Sequence, residues 1–344
     1  MPRFVPIEEF IQLAKTATVV DVRAPAEFAQ GHIPGAVSLP LFDDEQRAEI
    51  GTLYKQVSRS ESLLRGLELV GPKMRPLAQA GLDLSDGKPL LIHCWRGGMR
   101  SRSLAWLIEQ VDVQTIVLDG GYKFFRRWVL EFFKETLPLI VLSGLTGSGK
   151  TNQLAQLAAQ NEQVVDLERL ANHRGSAFGG IGQGGQPTNE QFENDLAMEL
   201  NCLDTGRPIW VEDESRSIGG IRLPHHFFEQ LRCAPAIFMK VDVAVRSELI
   251  NRDYGDLDST ELRAAIERIT RRLGGQNMKM ATEYLENGQM TNCIEILLNY
   301  YDRLYLANKD KLPRDVFLDF PTDEPESVTT AHKLIEMAAG VVAN

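Results

Sequence analysis

One eight-residue run constrains this chain more than any other feature: Gly144-Leu145-Thr146-Gly147-Ser148-Gly149-Lys150-Thr151. It satisfies G-x-x-x-x-G-K-[ST] at every position. The apolar run Leu139–Leu142 feeds into it, and a helical pattern follows from Thr151. In a strand, glycine turn and helix of this kind, backbone N–H groups turn inward onto a phosphate chain. Lys150 then adds a point charge, and the Thr151 hydroxyl suits Mg²⁺. Val164–Leu167, Ile209–Val211 and Ile237–Val241 read as further strands of the same sheet. The strand Ile209-Trp210-Val211 ends in Glu212-Asp213-Glu214, which makes Glu212 and Asp213 candidate Walker-B acids for a magnesium shell. Spacing alone does not choose among the three, and a strand end with solvated acids is the plainer reading. The glycine-rich stretch His173–Gly180 reads as a mobile loop beside the site or as an ordinary surface loop. No motif for adenine or guanine accompanies the run, and a phosphate loop need not hold a nucleotide.

A second chemistry-bearing segment is His93-Cys94-Trp95-Arg96-Gly97-Gly98-Met99-Arg100-Ser101. It lies between the apolar strand Pro89–His93 and a helix predicted over Arg102–Gln110. Backbone N–H groups wrapped around the sulfur, a helix N-terminus and the charges of Arg96 and Arg100 all favour thiolate. Gly97 and Gly98 allow close backbone approach. Cys94 is therefore expected to be a nucleophile in an anion cradle rather than a structural thiol. His93 is expected to support the strand end, and could bias the thiolate.

The chain has 344 residues, enough for two or three domains. Cys94, Cys202, Cys233 and Cys293 form no C-x-x-C pair, which argues against a zinc site or a disulfide framework and fits a reducing cytoplasm. The N-terminal stretch lacks a signal-peptide core, and the longest apolar run, near Leu137–Leu142, is too short to span a membrane. A soluble cytoplasmic protein without a membrane partner is expected. The formal net charge of -10 repels polyanions, so nucleic acid needs a local basic patch. Lys123, Arg126 and Arg127, interleaved with Phe124, Phe125 and Trp128, form one candidate; an amphipathic helix with a solvated face is the alternative. Arg271, Arg272 and Lys279 form a second.

Strands also read at Ala17–Val22 and Thr115–Leu118, so two parallel α/β sheets are expected. The domains are placed at 1–132, 137–255 and, as a helical C-terminal region, 256–344. In that last region Asp258 can cap a helix, with Glu261 as capping-box partner. Leu262, Ile266, Ile269 and Leu273 then share one face that ends at Gly274-Gly275. Asn292–Ala307 is a further helical stretch, and these helices are expected to cover the second sheet or form a lid.

Asp21-Val22-Arg23, Glu27-Phe28, Gly31-His32-Ile33-Pro34-Gly35-Ala36 and Leu118-Asp119-Gly120-Gly121-Tyr122 resemble the rhodanese family over about residues 1–132. The resemblance implies sulfur carried as a persulfide on Cys94. One departure matters: five residues separate Cys94 from Arg100, where many sulfur-carrying rhodaneses have four. The longer spacing matches the H-C-x5-R-S pattern of cysteine phosphatases, so a rhodanese-fold phosphatase or a sulfurtransferase gated by a nucleotide-binding loop is the rival reading. The fusion of the two modules narrows the choice. Gly51-Thr52-Leu53-Tyr54-Lys55-Gln56, Asp166-Leu167-Glu168, His173-Arg174-Gly175-Ser176, Glu212-Asp213-Glu214-Ser215-Arg216 and Tyr300-Tyr301-Asp302 resemble the bacterial tRNA 2-selenouridine synthase family. That resemblance implies a transferase acting on wobble 2-thiouridine of tRNA. Selenophosphate would be the selenium donor at the Cys94 loop, supplied by a partner enzyme. Geranyl diphosphate would be a co-substrate at the phosphate loop, giving an S-geranyl intermediate.

Overall fold

The computed structural model describes residues 2–255, 258–309 and 312–342. The chain divides into two compact units: Met1–Phe132 with Glu193–Met198, and Phe133–Phe192 with Glu199–Asn344. The expected start of the helical region at residue 256 lies outside the described residues.

In chain order, unit 1 runs β1 (Arg3–Val5), α1 (Ile7–Ala14), β2 (Val19–Asp21), α2 (Pro25–Gln30), β3 (Val37–Ser38), α3 (Asp44–Gln56), α4 (Arg59–Val70), α5 (Met74–Ser85), β4 (Leu90–His93), α6 (Met99–Glu109), β5 (Thr115–Leu118) and α7 (Gly121–Phe132). The five strands lie in the order β1-β5-β4-β2-β3, all parallel. β2, β4 and β5 are buried along their whole length, as apolar strands between two helical layers must be. β4 is central, with Leu91 opposite Val19 and Ile116. Its C-terminal end therefore delivers Cys94 at the middle of the sheet. The helix after the thiol loop starts at Met99, three residues before the expected Arg102, so Met99 and Arg100 belong to its first turn.

Unit 2 carries β6 (Leu139–Gly144), α8 (Lys150–Ala159), β7 (Gln163–Val165), α9 (Leu167–Ala171), α10 (Asn189–Asn201, part of which clusters with unit 1), β8 (Ile209–Glu212), β9 (Ser217–Ile218), β10 (Ile221–Arg222), α11 (His225–Cys233) and β11 (Ala236–Lys240). Then follow α12 (Val243–Tyr254), α13 (Ser259–Arg268), α14 (Thr270–Leu273), α15 (Gly275–Glu286), α16 (Met290–Lys309), β12 (Phe317–Pro321) and α17 (Val328–Val342). Its large sheet is parallel, in the order β12-β11-β6-β8-β7. The central β6 holds the phosphate loop at its carboxyl end, and β8 beside it brings Glu212 to the same edge. This is where open α/β sheets bind ligands.

Three local expectations change. β7 stops at Val165, because the Asp166 carboxylate accepts from Arg169 N and so caps α9, whose first residue is Leu167. The helix expected from Asp258 to Leu273 breaks at Ile269 into α13 and α14, although Asp258 does cap it. The last forty residues, which carry no motif, supply β12, paired with β11 along five residues, and α17, which packs on α8. Leu262, Ile266, Ile269 and Leu273 are buried with Phe178, Ile181, Leu285 and Cys293 in a helical core separate from the core around the sheet.

Candidate active sites

Unit 1 builds its site around the sulfur of Cys94, which is 3% exposed. Gly98 N–H donates to Sγ at 3.2 Å, and the Ser101 hydroxyl lies 3.2 Å from it, so the loop does fold around the sulfur. The loop leans on the Gly120–Gly121 turn: Tyr122 N–H donates to Cys94 O (2.8 Å) and Lys123 N–H to Trp95 O (3.0 Å). Gly121 is obligatory there. Its φ is +61°, and a Cβ would stand 2.3 Å from Cys94 O and 2.4 Å from Gly97 N. Trp95, Arg96 and Met99 are exposed at the rim. Arg100 departs from the expected cradle: its guanidinium pairs with Glu27 at 2.6 Å instead of facing open solution. Burial opposes ionisation of Glu27 most strongly, but the Arg100 hydrogen bond and charge, the Ala24 N–H and the Arg47 charge together hold the carboxyl below its ordinary value.

His93 adds no charge to the thiol loop. Burial pushes its imidazole down to about 4 against the pull of Asp21, and both ring nitrogens are buried without a hydrogen-bond partner. The Asp21-Val22-Arg23 motif is a pillar: buried Arg23 grips Asp21, donates to Gly31 O and lies 3.7 Å over the Tyr122 ring. His32 stacks on Phe28 and its Nδ1 lies 3.0 Å from Phe28 O, just ahead of the turn at Pro34–Gly35.

On α7 the basic residues separate. Lys123 and Arg127 are exposed, with Arg127 over the Phe124 ring. Within unit 1, Arg126 is held by Glu193 and Asn194, so it is not part of an exposed patch. Phe125 is buried and Trp128 stacks between Phe125 and Phe132, so much of the aromatic interleaving is the helix's inner face. Arg271, Arg272 and Lys279 are all exposed.

Unit 2 builds the candidate phosphate site. Gly147 (φ +78°) and Gly149 (φ +74°) shape the loop, and α8 starts at Lys150. Leu145, Thr146 and Gly147 are half-buried, while the Ser148 hydroxyl is fully buried without a partner. Lys150 Nζ donates to Gly144 O (3.1 Å), and the Thr151 hydroxyl donates to Glu168 (3.2 Å). The three acids at the end of β8 take different roles. Asp213 is spent on structure: it accepts from Ser143 (2.6 Å), Tyr305 (2.7 Å) and Arg314 (2.5 Å). Glu212 is 1% exposed, accepts from Glu168 N–H at 2.8 Å, and keeps one oxygen without a partner. Glu214 faces Glu168 across Gly175, whose absent side chain leaves room for both carboxylates. Burial, then the neighbouring acids, raises Glu212 well above its ordinary value. Burial, then Glu168, pushes Glu214 up to about 8.

Sequence reasoning missed two residues here. Glu168 sits in the first turn of α9, just past β7, and its signal was available in Asp166-Leu167-Glu168. Arg246, 3% exposed, donates to Thr146 O (3.1 Å) and grips Asp302 (3.0 and 2.8 Å), tying α16 to the phosphate loop. The His173–Gly180 loop lies beside the site, folded through turns and anchored by buried Phe178, with Arg174, Gly175 and Ser176 against the cavity. That cavity has a volume of about 560 Å³. One end is the phosphate loop and its acids. The other is walled by Leu262, Ile266, Leu285, Ile294, Leu297 and Leu298. Among the described residues, no three His, Cys, Asp or Glu side chains are arranged to hold a metal ion, and no helix is long and apolar enough to cross a membrane.

Comparison with known proteins matches residues 7–127 to the rhodanese-like domain and residues 137–333 to the tRNA 2-selenouridine synthase AAA domain. The tRNA 2-selenouridine synthase of Nitrosomonas europaea is 34% identical, over 84% of this chain and 88% of its own. The protein of that name from Aeromonas salmonicida is 36% identical, over 84% and 86%. The one from Bdellovibrio bacteriovorus is 42% identical, over 69% and 64%.

Proposed function

Because this chain belongs to the tRNA 2-selenouridine synthase family, we propose that its two sites divide the replacement of sulfur by selenium in a wobble 2-thiouridine of tRNA. The phosphate loop takes the diphosphate of geranyl diphosphate. The thiouridine sulfur attacks the first carbon of the chain, the carbon–oxygen bond breaks, diphosphate leaves and the base loses its N3 proton. A thiocarbonyl sulfur is a poor leaving group, and alkylation converts it into a leaving thiol. The Cys94 loop then presents selenophosphate, or selenium drawn from it, for the displacement.

The observation that carries this reading is the cavity itself. Beyond Lys150 its walls are mostly apolar side chains of α13, α15 and α16, joined by Phe178, Tyr254 and Tyr301, a lining that suits a hydrocarbon. Lys150 and the loop N–H groups stabilise the charge that develops on the departing diphosphate. Thr151 and Glu168 are the residues a Mg²⁺ ion would meet; such an ion would neutralise diphosphate charge, with phosphate oxygens completing its shell. The phosphatase reading rests on the Cys94-to-Arg100 spacing. It needs Arg100 on the phosphate, and Arg100 is on Glu27.

The test supplies 2-thiouridine tRNA with geranyl diphosphate and then selenophosphate, and reads nucleoside masses. Cys94→Ala is expected to geranylate and not selenate. Lys150→Ala is expected to geranylate about 100-fold more slowly or worse, yet to selenate tRNA that already carries the geranyl group. Normal selenation by Cys94→Ala, or refusal of geranylated tRNA by Lys150→Ala, defeats the division of labour.

A further inference from the structure

One face of α16 runs away from the phosphate loop along the cavity wall. Met290, Cys293, Ile294, Leu297, Leu298 and Tyr301 all line the cavity, and their spacing of three and four residues places them on a single stripe. The C-terminal half of the helix is pinned at the phosphate end. Asp302 holds Arg246, which holds Thr146 O, and the Tyr305 hydroxyl donates to Asp213 at the end of β8. The stripe is therefore graduated from a fixed origin. At ~1.5 Å of rise per residue, Leu298 stands roughly 6 Å from the level of Asp302, Ile294 roughly 12 Å and Met290 roughly 18 Å. An extended ten-carbon prenyl chain spans roughly 9 Å and a fifteen-carbon chain roughly 14 Å, from carbon–carbon bonds of ~1.5 Å laid in a zigzag. Laid from the level of Asp302, the first ends between Leu298 and Ile294. The second must pass Ile294, which is 4% exposed and lines the cavity with Leu262, Ile266 and Cys293, to reach the level of Met290.

We infer that α16 is a ruler for the hydrocarbon of the diphosphate donor: Leu298 flanks the tail of a ten-carbon chain, and Ile294 is the stop that turns away a fifteen-carbon one. The inference rests on the reading that the phosphate loop holds a prenyl diphosphate. It adds the residues that set chain length. Shortening Ile294 deepens the cavity; enlarging Leu298 makes it shallower.

The experiment offers the full-length protein 2-thiouridine tRNA with dimethylallyl, geranyl and farnesyl diphosphates in competition, and reads the masses of the prenylated nucleosides. The unaltered protein is expected to prefer geranyl. Ile294→Ala is expected to raise the farnesyl-to-geranyl ratio about 10-fold or more, and Leu298→Phe to raise the dimethylallyl-to-geranyl ratio comparably. Ratios are taken within each variant, so a loss of total activity through partial unfolding does not enter them. Cys293→Ala, which removes less volume one residue away, serves as the enlarging variant if Ile294→Ala does not fold. Transfer by the unaltered protein with unchanged ratios in the folded variants overturns the ruler and leaves the donor reading standing. No transfer of any chain length by the unaltered protein overturns both.

Discussion

At the scale of single residues, the acids around Lys150 pose a problem that their protonation solves. The proposed diphosphate would bring negative charge to a site already holding Glu168, Glu212 and Glu214. Burial, with neighbouring acids adding to it, raises all three carboxyls and so favours their neutral forms. Glu214, from an ordinary 4.5, is pushed to about 8. The folded state therefore holds a proton that the unfolded chain releases. This contribution to stability is complete below about pH 4.5 and is lost as pH rises through about 8. Asp21 and Glu27 are shifted downward and act at lower pH, outside this window. Buried His93, lowered from 6.5 to about 4, adds stability as pH rises to about 6.5, so the midpoint of thermal unfolding is expected to fall between about pH 6.5 and pH 8, and Glu214→Gln to flatten that fall. An equal slope in the variant would show that Glu214 does not hold the proton. Cys94 and Lys150 are legible from motifs because their neighbours in sequence make their surroundings. Arg246 is not, because its partners come from distant elements, and Glu168, although it lies in the Asp166-Leu167-Glu168 stretch, gains its place beside Thr151 and Glu214 only in the fold.

At the scale of elements, the thiol loop depends on a turn that is remote in sequence. The Gly120–Gly121 turn fills the space under Cys94 with backbone alone, and α7 then donates two N–H groups to the loop. Gly121→Ala puts a methyl group 2.3 Å from Cys94 O at a φ that L-residues rarely adopt. It is expected to cost about 1–3 kcal/mol or more of stability by denaturant titration. Selenation should suffer more than geranylation, since the displaced loop holds the thiol. Equal loss of both activities would mean general unfolding instead. The Leu118–Tyr122 signature is visible in sequence, but its mechanical role is visible only once β5 is seen beside β4. Likewise, the periodicity of α16 marks an apolar face without saying that part of it borders empty space.

At the scale of the whole molecule, a net charge of -10 has to be reconciled with a tRNA substrate. Lys123 and Arg127 stay exposed on α7, next to the turn that supports the thiol loop, whereas Arg126 is neutralised by Glu193. Lys123→Glu with Arg127→Glu is expected to weaken tRNA binding. It should also reduce the slope of log affinity against log salt by up to about 2, one unit for each phosphate no longer neutralised. Folding should be nearly untouched, because both side chains face solvent. An unchanged affinity and slope across a salt series would move the tRNA-binding surface to Arg271, Arg272 and Lys279, which are equally exposed.

Residues contiguous in the chain are enough to specify the two parallel sheets, the loops at their strand ends and the pairing of a thiol loop with a phosphate-loop motif. Each is legible in sequence because a glycine turn between strand and helix leaves one local geometry. Which charges are free, and what lies beyond the phosphate, became decidable only in three dimensions. Arg100 and Arg126 look available until Glu27 and Glu193 are brought to them, and Asp213 looks like a metal ligand until Ser143, Tyr305 and Arg314 claim it. The apolar end of the cavity is assembled from α13, α15 and α16, and no one of them encloses anything alone. Charge pairing and enclosed volume depend on groups brought together from far apart in the chain, and sequence spacing carries no measure of that distance.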